Sequence, residues 1–90
     1  MKLENWHLVG GPGGRVLVGD IYGHDTIRDG EVVTTSLIQE LSIPKKTAKT
    51  KNSEYTLGKP DPLFVESLAH TNSKTAAAMR KEFLDANVPV

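Results

Sequence analysis

Apolar residues come in short alternating runs as far as Leu57 and at helical spacing beyond Asp61, a change of period that predicts strands first and helices afterwards. Asn5 to Val9, carrying Trp6, Leu8 and Val9, reads as a short strand that ends in the cluster Gly10-Gly11-Pro12-Gly13-Gly14. Arg15 to Tyr22 reads as a second strand, with Val16, Val18 and Tyr22 on one side, Leu17 and Ile21 on the other, and Gly19 marking a bulge. The polar stretch Gly23 to Gly30 closes on Asp29-Gly30, a pair that tolerates the positive φ of tight hairpin turns. From Glu31 a strand places Val32, Thr34 and Ser36 on one face and Val33, Thr35 and Leu37 on the other. Ile38, Leu41 and Ile43 extend the apolar material to Pro44. Lys45 to Lys51 and Glu54 to Leu57 then form a second hairpin around Asn52-Ser53, with Tyr55 and Leu57 sharing a face.

Gly58-Lys59-Pro60 stops the sheet. Asp61 can cap a helix whose first position holds Pro62, where a missing amide hydrogen costs nothing. Leu63, Phe64, Val65 and Leu68 are the side chains to dock it. After a break over His70 to Ser73, Lys74 to Asp85 carries Ala76, Ala77, Ala78, Met79, Phe83 and Leu84 at spacings that build a helical stripe. The expected fold class is therefore mainly β to α+β: a small SH3-like barrel or curled antiparallel sheet of about four to five strands with a C-terminal helical segment. Residues 1–60 form the barrel-like unit and 61–90 a helical extension packing on it, within a single domain.

With 90 residues the interior must be small, and a deep enclosed pocket is not expected. The chain has 11 basic and 11 acidic residues, so the molecule as a whole has no field to draw it onto nucleic acid or a membrane. The distribution is uneven: basic against acidic residues number 3 and 6 over Met1 to Pro44, 5 and 1 over Lys45 to Pro60, and 3 and 4 over Asp61 to Val90. No cysteine is present, which removes disulfides and thiolate metal sites and fits a reducing compartment. No apolar run has the length of a membrane span or the form of a signal peptide, so a cytoplasmic location without membrane attachment is expected.

Tyr22-Gly23-His24, Asp29-Gly30, Thr34-Thr35-Ser36 and the run Thr50-Lys51-Asn52-Ser53-Glu54-Tyr55-Thr56-Leu57-Gly58 resemble a group of small uncharacterised β-rich proteins of bacterial and phage genomes. The likeness spans Leu3 to Pro62 and includes a Trp near the start, here Trp6. Asp25-Thr26-Ile27 departs from the group, which tends to carry a Pro-Arg-Phe-like segment there. The resemblance implies a single β-rich module of bacterial or mobile-element origin, and it carries no catalytic residue.

Four features invite a chemical reading. Lys45, Lys46, Lys49 and Lys51 could track a phosphate backbone while Tyr55 stacks on a base, although lysines on an exposed edge also serve to prevent strand pairing. Met79, Phe83 and Leu84 could form a docking face for a partner protein or a second copy, unless the sheet covers them. Asp20, His24, Asp25 and Asp29 could hold a divalent metal or support acid–base work, but their spacing matches no standard metal loop. The glycine cluster could cradle an anion, yet a strand rather than a helix follows it. No serine sits in a nucleophile elbow.

The leading expectation is a non-enzymatic interaction module without cofactor or metal, binding another protein, as an accessory to a phage or mobile element. The alternatives are a nucleic-acid-binding barrel using Lys45 to Lys51 and, last, a metal-dependent hydrolase. A homodimer is compatible with each.

Overall fold

The computed structural model describes residues 1–11, 13–70 and 74–85. Along them run β1 (Lys2–Gly11), β2 (Gly14–Tyr22), β3 (Val32–Thr34), β4 (Ile38–Ser42), β5 (Thr47–Thr50), β6 (Glu54–Leu57), α1 (Pro62–Ala69) and α2 (Lys74–Asp85). The strands make one six-stranded sheet in the order β3-β2-β1-β6-β5-β4. Its neighbours are antiparallel except β1 and β6, which run parallel.

The mainly β, helix-tailed class is as expected, but the sheet is mixed and has six strands rather than four to five antiparallel ones. Two causes account for the difference. The stretch after Glu31 divides in two, because Thr35 N–H donates to the Leu17 carbonyl (2.8 Å) while two residues later the Leu37 carbonyl accepts from Lys51 N–H (3.0 Å). The chain thus leaves β2 and joins β5 within three residues, so the two ends of the sheet are consecutive in sequence. Thr35 makes the crossing possible: its buried hydroxyl accepts from Leu17 N–H (3.0 Å) and donates to the Ser36 carbonyl (2.9 Å).

The second cause is the parallel pairing. Thr56 N–H donates to the Met1 carbonyl, Gly58 N–H to Leu3, Lys59 receives from Asn5 N–H, and Asp61 N–H donates to Trp6, at 2.7–2.8 Å throughout. Residues 56–61 therefore lie along β1 from its start, and with the pairing of Lys2 to Tyr22 on the other side they carry that strand back to Lys2 from the expected Asn5. Such pairing between distant segments leaves no local signature.

Gly19 does mark a bulge, and the additional residue lies on the partner strand. Glu4 pairs with Asp20 and His7 with Val18, so Asn5 and Trp6 together oppose Gly19. Asn5 takes a φ of 55°, a region asparagine enters more readily than most residues. A Cβ on Gly19 would stand 3.1 Å from both the Trp6 Cα and the Glu4 carbonyl oxygen, so the close approach of the two backbones favours glycine.

This bulge turns Trp6 into the core. Leu3, Leu17, Ile21, Ile43, Ala48 and Leu57 fill the inner face of the sheet, and Val65, Leu68, Met79 and Phe83 bring both helices onto the same cluster. Trp6 lies 6.0 Å from Phe64 and 5.8 Å from Phe83 between ring centroids, and its indole N–H donates to the Gly58 carbonyl at 3.0 Å. Full burial of a ring such as Phe83 stabilises by roughly 1.5–3 kcal/mol. Asp61 caps α1 as expected, its carboxylate accepting from Leu63 N–H at 3.0 Å. Leu63 itself does not dock: it is 75% exposed, since helical spacing puts Phe64, Val65 and Leu68 on the inner side and Leu63 on the opposite one. Among the described residues no helix is long and apolar enough to cross a membrane.

Candidate interaction surface

The central lysines lie on three different parts of the β4–β5–β6 half. Lys45 and Lys46 sit in the β4–β5 turn, Lys49 in the middle of β5, and Lys51 just beyond its far end. All four are exposed. The turn is tight: Lys46 adopts a φ of 56°, its N–H donates to the Ile43 carbonyl (3.1 Å), and its carbonyl accepts from Leu57 N–H (2.7 Å). Register places Lys49 between Glu40 of β4 and Glu54 of β6, so on the outward face a single cation stands between two carboxylates. The next row is Ser42, Thr47 and Thr56.

Together these side chains line an open polar trough of about 600 Å³ that also reaches Lys45. Tyr55 borders it but pairs with buried Ala48 and packs against the core, so its ring shares a face with the interior rather than with Lys49. The structure therefore brings Lys45 and Lys49 to one trough, in company with acids, and sets Tyr55 at its border, packed against the core.

Of the residues considered for metal or acid–base chemistry, His24 and Asp29 are used in a turn. His24 Nδ1 accepts from Thr26 N–H (3.0 Å) and Ile27 N–H (3.1 Å), and Asp29 accepts from Gly23 N–H (2.9 Å). Asp25 is exposed and Asp20 lies on β2. No group of three or more His, Cys, Asp or Glu able to hold a metal occurs among the described residues. The glycine cluster joins β1 to β2, with Gly13 and Gly14 at positive φ and Leu37 leaning against both, while Pro12 lies outside the described residues. The hydroxyls of Ser42 and Ser67 serve local backbone bonds, to Lys45 N–H and the Phe64 carbonyl respectively.

The docking face expected on α2 is corrected. Met79 is 7% exposed and Phe83 fully buried, because the helix uses this stripe to cover Trp6 and α1 within its own chain. The Leu84 side chain lies outside the described residues.

A different apolar surface is open. On the outward face of β1–β2–β3, register aligns Val9 with Val16, His7 with Val18 and Thr34, Glu4 with Asp20 and Val32, and Lys2 with Tyr22. Val32 is 70% exposed, Val9 41% and Tyr22 40%, while Val16 and Val18 are half-buried. The face ends at β3, which neighbours no described strand or helix other than β2. Its alternation is fixed by the flanking bonds: the Glu31 carbonyl accepts from Ile21 N–H (2.9 Å), and Thr35 N–H donates to Leu17 (2.8 Å). Glu31, Val33 and Thr35 thus face β2, and the N–H and C=O groups of Val32 and Thr34 point away from the sheet. The sequence carried one sign of this surface, the alternation of Val32 and Thr34 against Val33 and Thr35. It carried none of the cross-strand alignment.

Two carboxylates, Glu4 and Asp20, are direct cross-strand neighbours on this face, an arrangement that repels. Lys2 pairs with Glu4 at 3.1 Å, and the Lys59 N–H donates to the same carboxylate at 3.2 Å. Partial desolvation works to raise the Glu4 pKa. The hydrogen bonds from Lys2 and Lys59 and the attraction of both ammonium groups outweigh it, holding the group below its ordinary value. Asp20 has no ion pair among the described residues.

No family model matches the chain, and no curated protein or solved structure matches it.

Proposed function

We propose that this chain is a non-enzymatic module that binds another protein through the outward face of β1–β2–β3, on a sheet curled into a small, SH3-like half-barrel whose β3 edge stays open. The curl is supported by the Thr35–Leu37 crossing, which carries the chain from β2 to the end of β5 and leaves the two terminal strands consecutive in sequence. The observation that carries the functional reading is that one outward face holds accessible Val9, Val32 and Tyr22 together with half-buried Val16 and Val18. Apolar and aromatic side chains held on a sheet, with the Glu4 and Asp20 carboxylates set among them, supply both the area a protein interface desolvates and the charge that selects its partner. A chain without cysteine suits a cytoplasmic setting, and the likeness to small phage and bacterial modules suggests an accessory role there.

Nucleic-acid binding draws less support, because Glu40 and Glu54 flank Lys49 and Tyr55 is packed inward. The two readings separate by capture from lysate of the cells that make the protein, using the wild type, Val32→Glu and Lys49→Glu as matched baits. Val32→Glu is expected to reduce the captured protein about tenfold, and Lys49→Glu to leave it unchanged. Capture insensitive to Val32→Glu, or bound material released by nuclease and lost with Lys49→Glu, would overturn the reading.

A further inference from the structure

We infer that the β3 edge takes up an extended, basic segment of the partner protein as an added antiparallel strand. This rests on the protein-binding reading above and names the chemistry of its partner. Val32 and Thr34 present N–H and C=O groups to solvent, the pattern that another strand completes. Natural sheets blunt open edges with shortness, lysine, proline or a bulge. The opposite terminal strand, β4, has a register shift between Ile38 and Glu40, whereas Val32–Thr34 is limited only by its length of three residues, being regular and having neither lysine nor proline.

The charge on the partner follows from the row beneath. Glu4, Asp20 and Val32 are successive cross-strand neighbours, so a residue added opposite Val32 continues that row. A lysine or arginine there lays its methylene stem over the 70% exposed valine and brings its cation to Asp20. Lys2 already serves Glu4, and Asp20 has no cation of its own among the described residues. Glu31, directly before β3, adds to the acidic surroundings of the edge. Three residues of edge give few backbone bonds, so the cation and the valine contact must provide most of the selectivity.

The test uses the whole, isotopically labelled chain and two synthetic probes, Thr-Lys-Val-Thr-Val-Lys-Thr and the same peptide with Glu for Lys. The lysine probe is expected to shift the Val32 and Thr34 amide resonances and slow their hydrogen exchange, with the glutamate probe at least about tenfold weaker. Thr34→Pro removes an outward N–H that β2 does not use and should abolish binding, its spectrum reporting whether the fold persists. Asp20→Lys should invert the preference between the probes, which keeps the assignment testable even if the proline variant does not fold. Shifts that map to the β4–β5–β6 trough, equal binding of both probes, or an unaltered preference in Asp20→Lys would overturn it. So would a concentration-dependent dimer broken by Thr34→Pro, which would assign the edge to a second copy. Loss of capture with Val32→Glu but no response to the probes would sink the strand-addition inference alone. Capture indifferent to Val32→Glu would instead remove the protein-binding reading beneath it.

Discussion

Across β4–β5–β6 the outward side chains alternate in sign or carry hydroxyls, Glu40–Lys49–Glu54 beside Ser42–Thr47–Thr56, whereas across β1–β2–β3 valines and a tyrosine share the face with two adjacent carboxylates. The first half presents polar and charged groups across its whole outward face, and water suits it. The second leaves apolar area exposed, sets like charges together and ends in unused backbone groups. The basic segment that stands out along the chain thus falls in the half where Lys49 alone stands between two carboxylates, while Lys45, Lys46 and Lys51 lie in the turns beside it. The surface with most to gain from a partner lies where the linear sequence looks like ordinary alternation.

Both halves depend on one interior, and the largest expected effect comes from opening it. Phe83→Ala empties the space against Trp6 and Phe64 and should cost about 3–5 kcal/mol in urea unfolding, with sheet and helix signals lost together. A cost below about 1 kcal/mol would show that α2 does not seal the core. Gly19→Val forces a branched side chain against the Trp6 Cα and the Glu4 carbonyl, both 3.1 Å from the added Cβ. It should lose about 1–3 kcal/mol and disturb the β1–β2–β3 half before the other, seen as faster amide exchange in β1 and β2. Lys49→Ala should change stability by less than about 0.5 kcal/mol, since an exposed cation in a row of mixed charge contributes little.

The smallest effect is one of pH. The Glu4 carboxyl is held below its ordinary value, so its stabilising share is present above the unfolded-state value, about 4, and fades as pH falls through the lowered one. Glu4→Gln should therefore be slightly less stable at neutral pH, by under about 1 kcal/mol, and the gap should close on acidification. A gap that widens in acid would contradict the pairing with Lys2 and Lys59.

Local chemistry was legible in the sequence. Asp61 and Pro62 announce α1, Val33 and Thr35 separate from Val32 and Thr34 by alternation, and Gly19 marks the bulge. Long-range pairing was not. Nothing near Lys2 signals residues 56–61 alongside it, and nothing near Lys49 signals Glu40 and Glu54 on either side. The α2 stripe was readable as apolar, but its destination, Trp6, depends on a bulge that only the paired strands reveal. Linear clusters such as Lys45 to Lys51 were incomplete for the same reason: register decides which charges meet.

The claim that the two halves differ in purpose is tested most directly by photo-cross-linking. A photoreactive residue placed at Val18 or, in a second protein, at Lys49 is irradiated in cells that make the chain. The account predicts a protein adduct from position 18 and none above background from position 49, and adducts confined to position 49, or nucleic acid in place of protein, would contradict it.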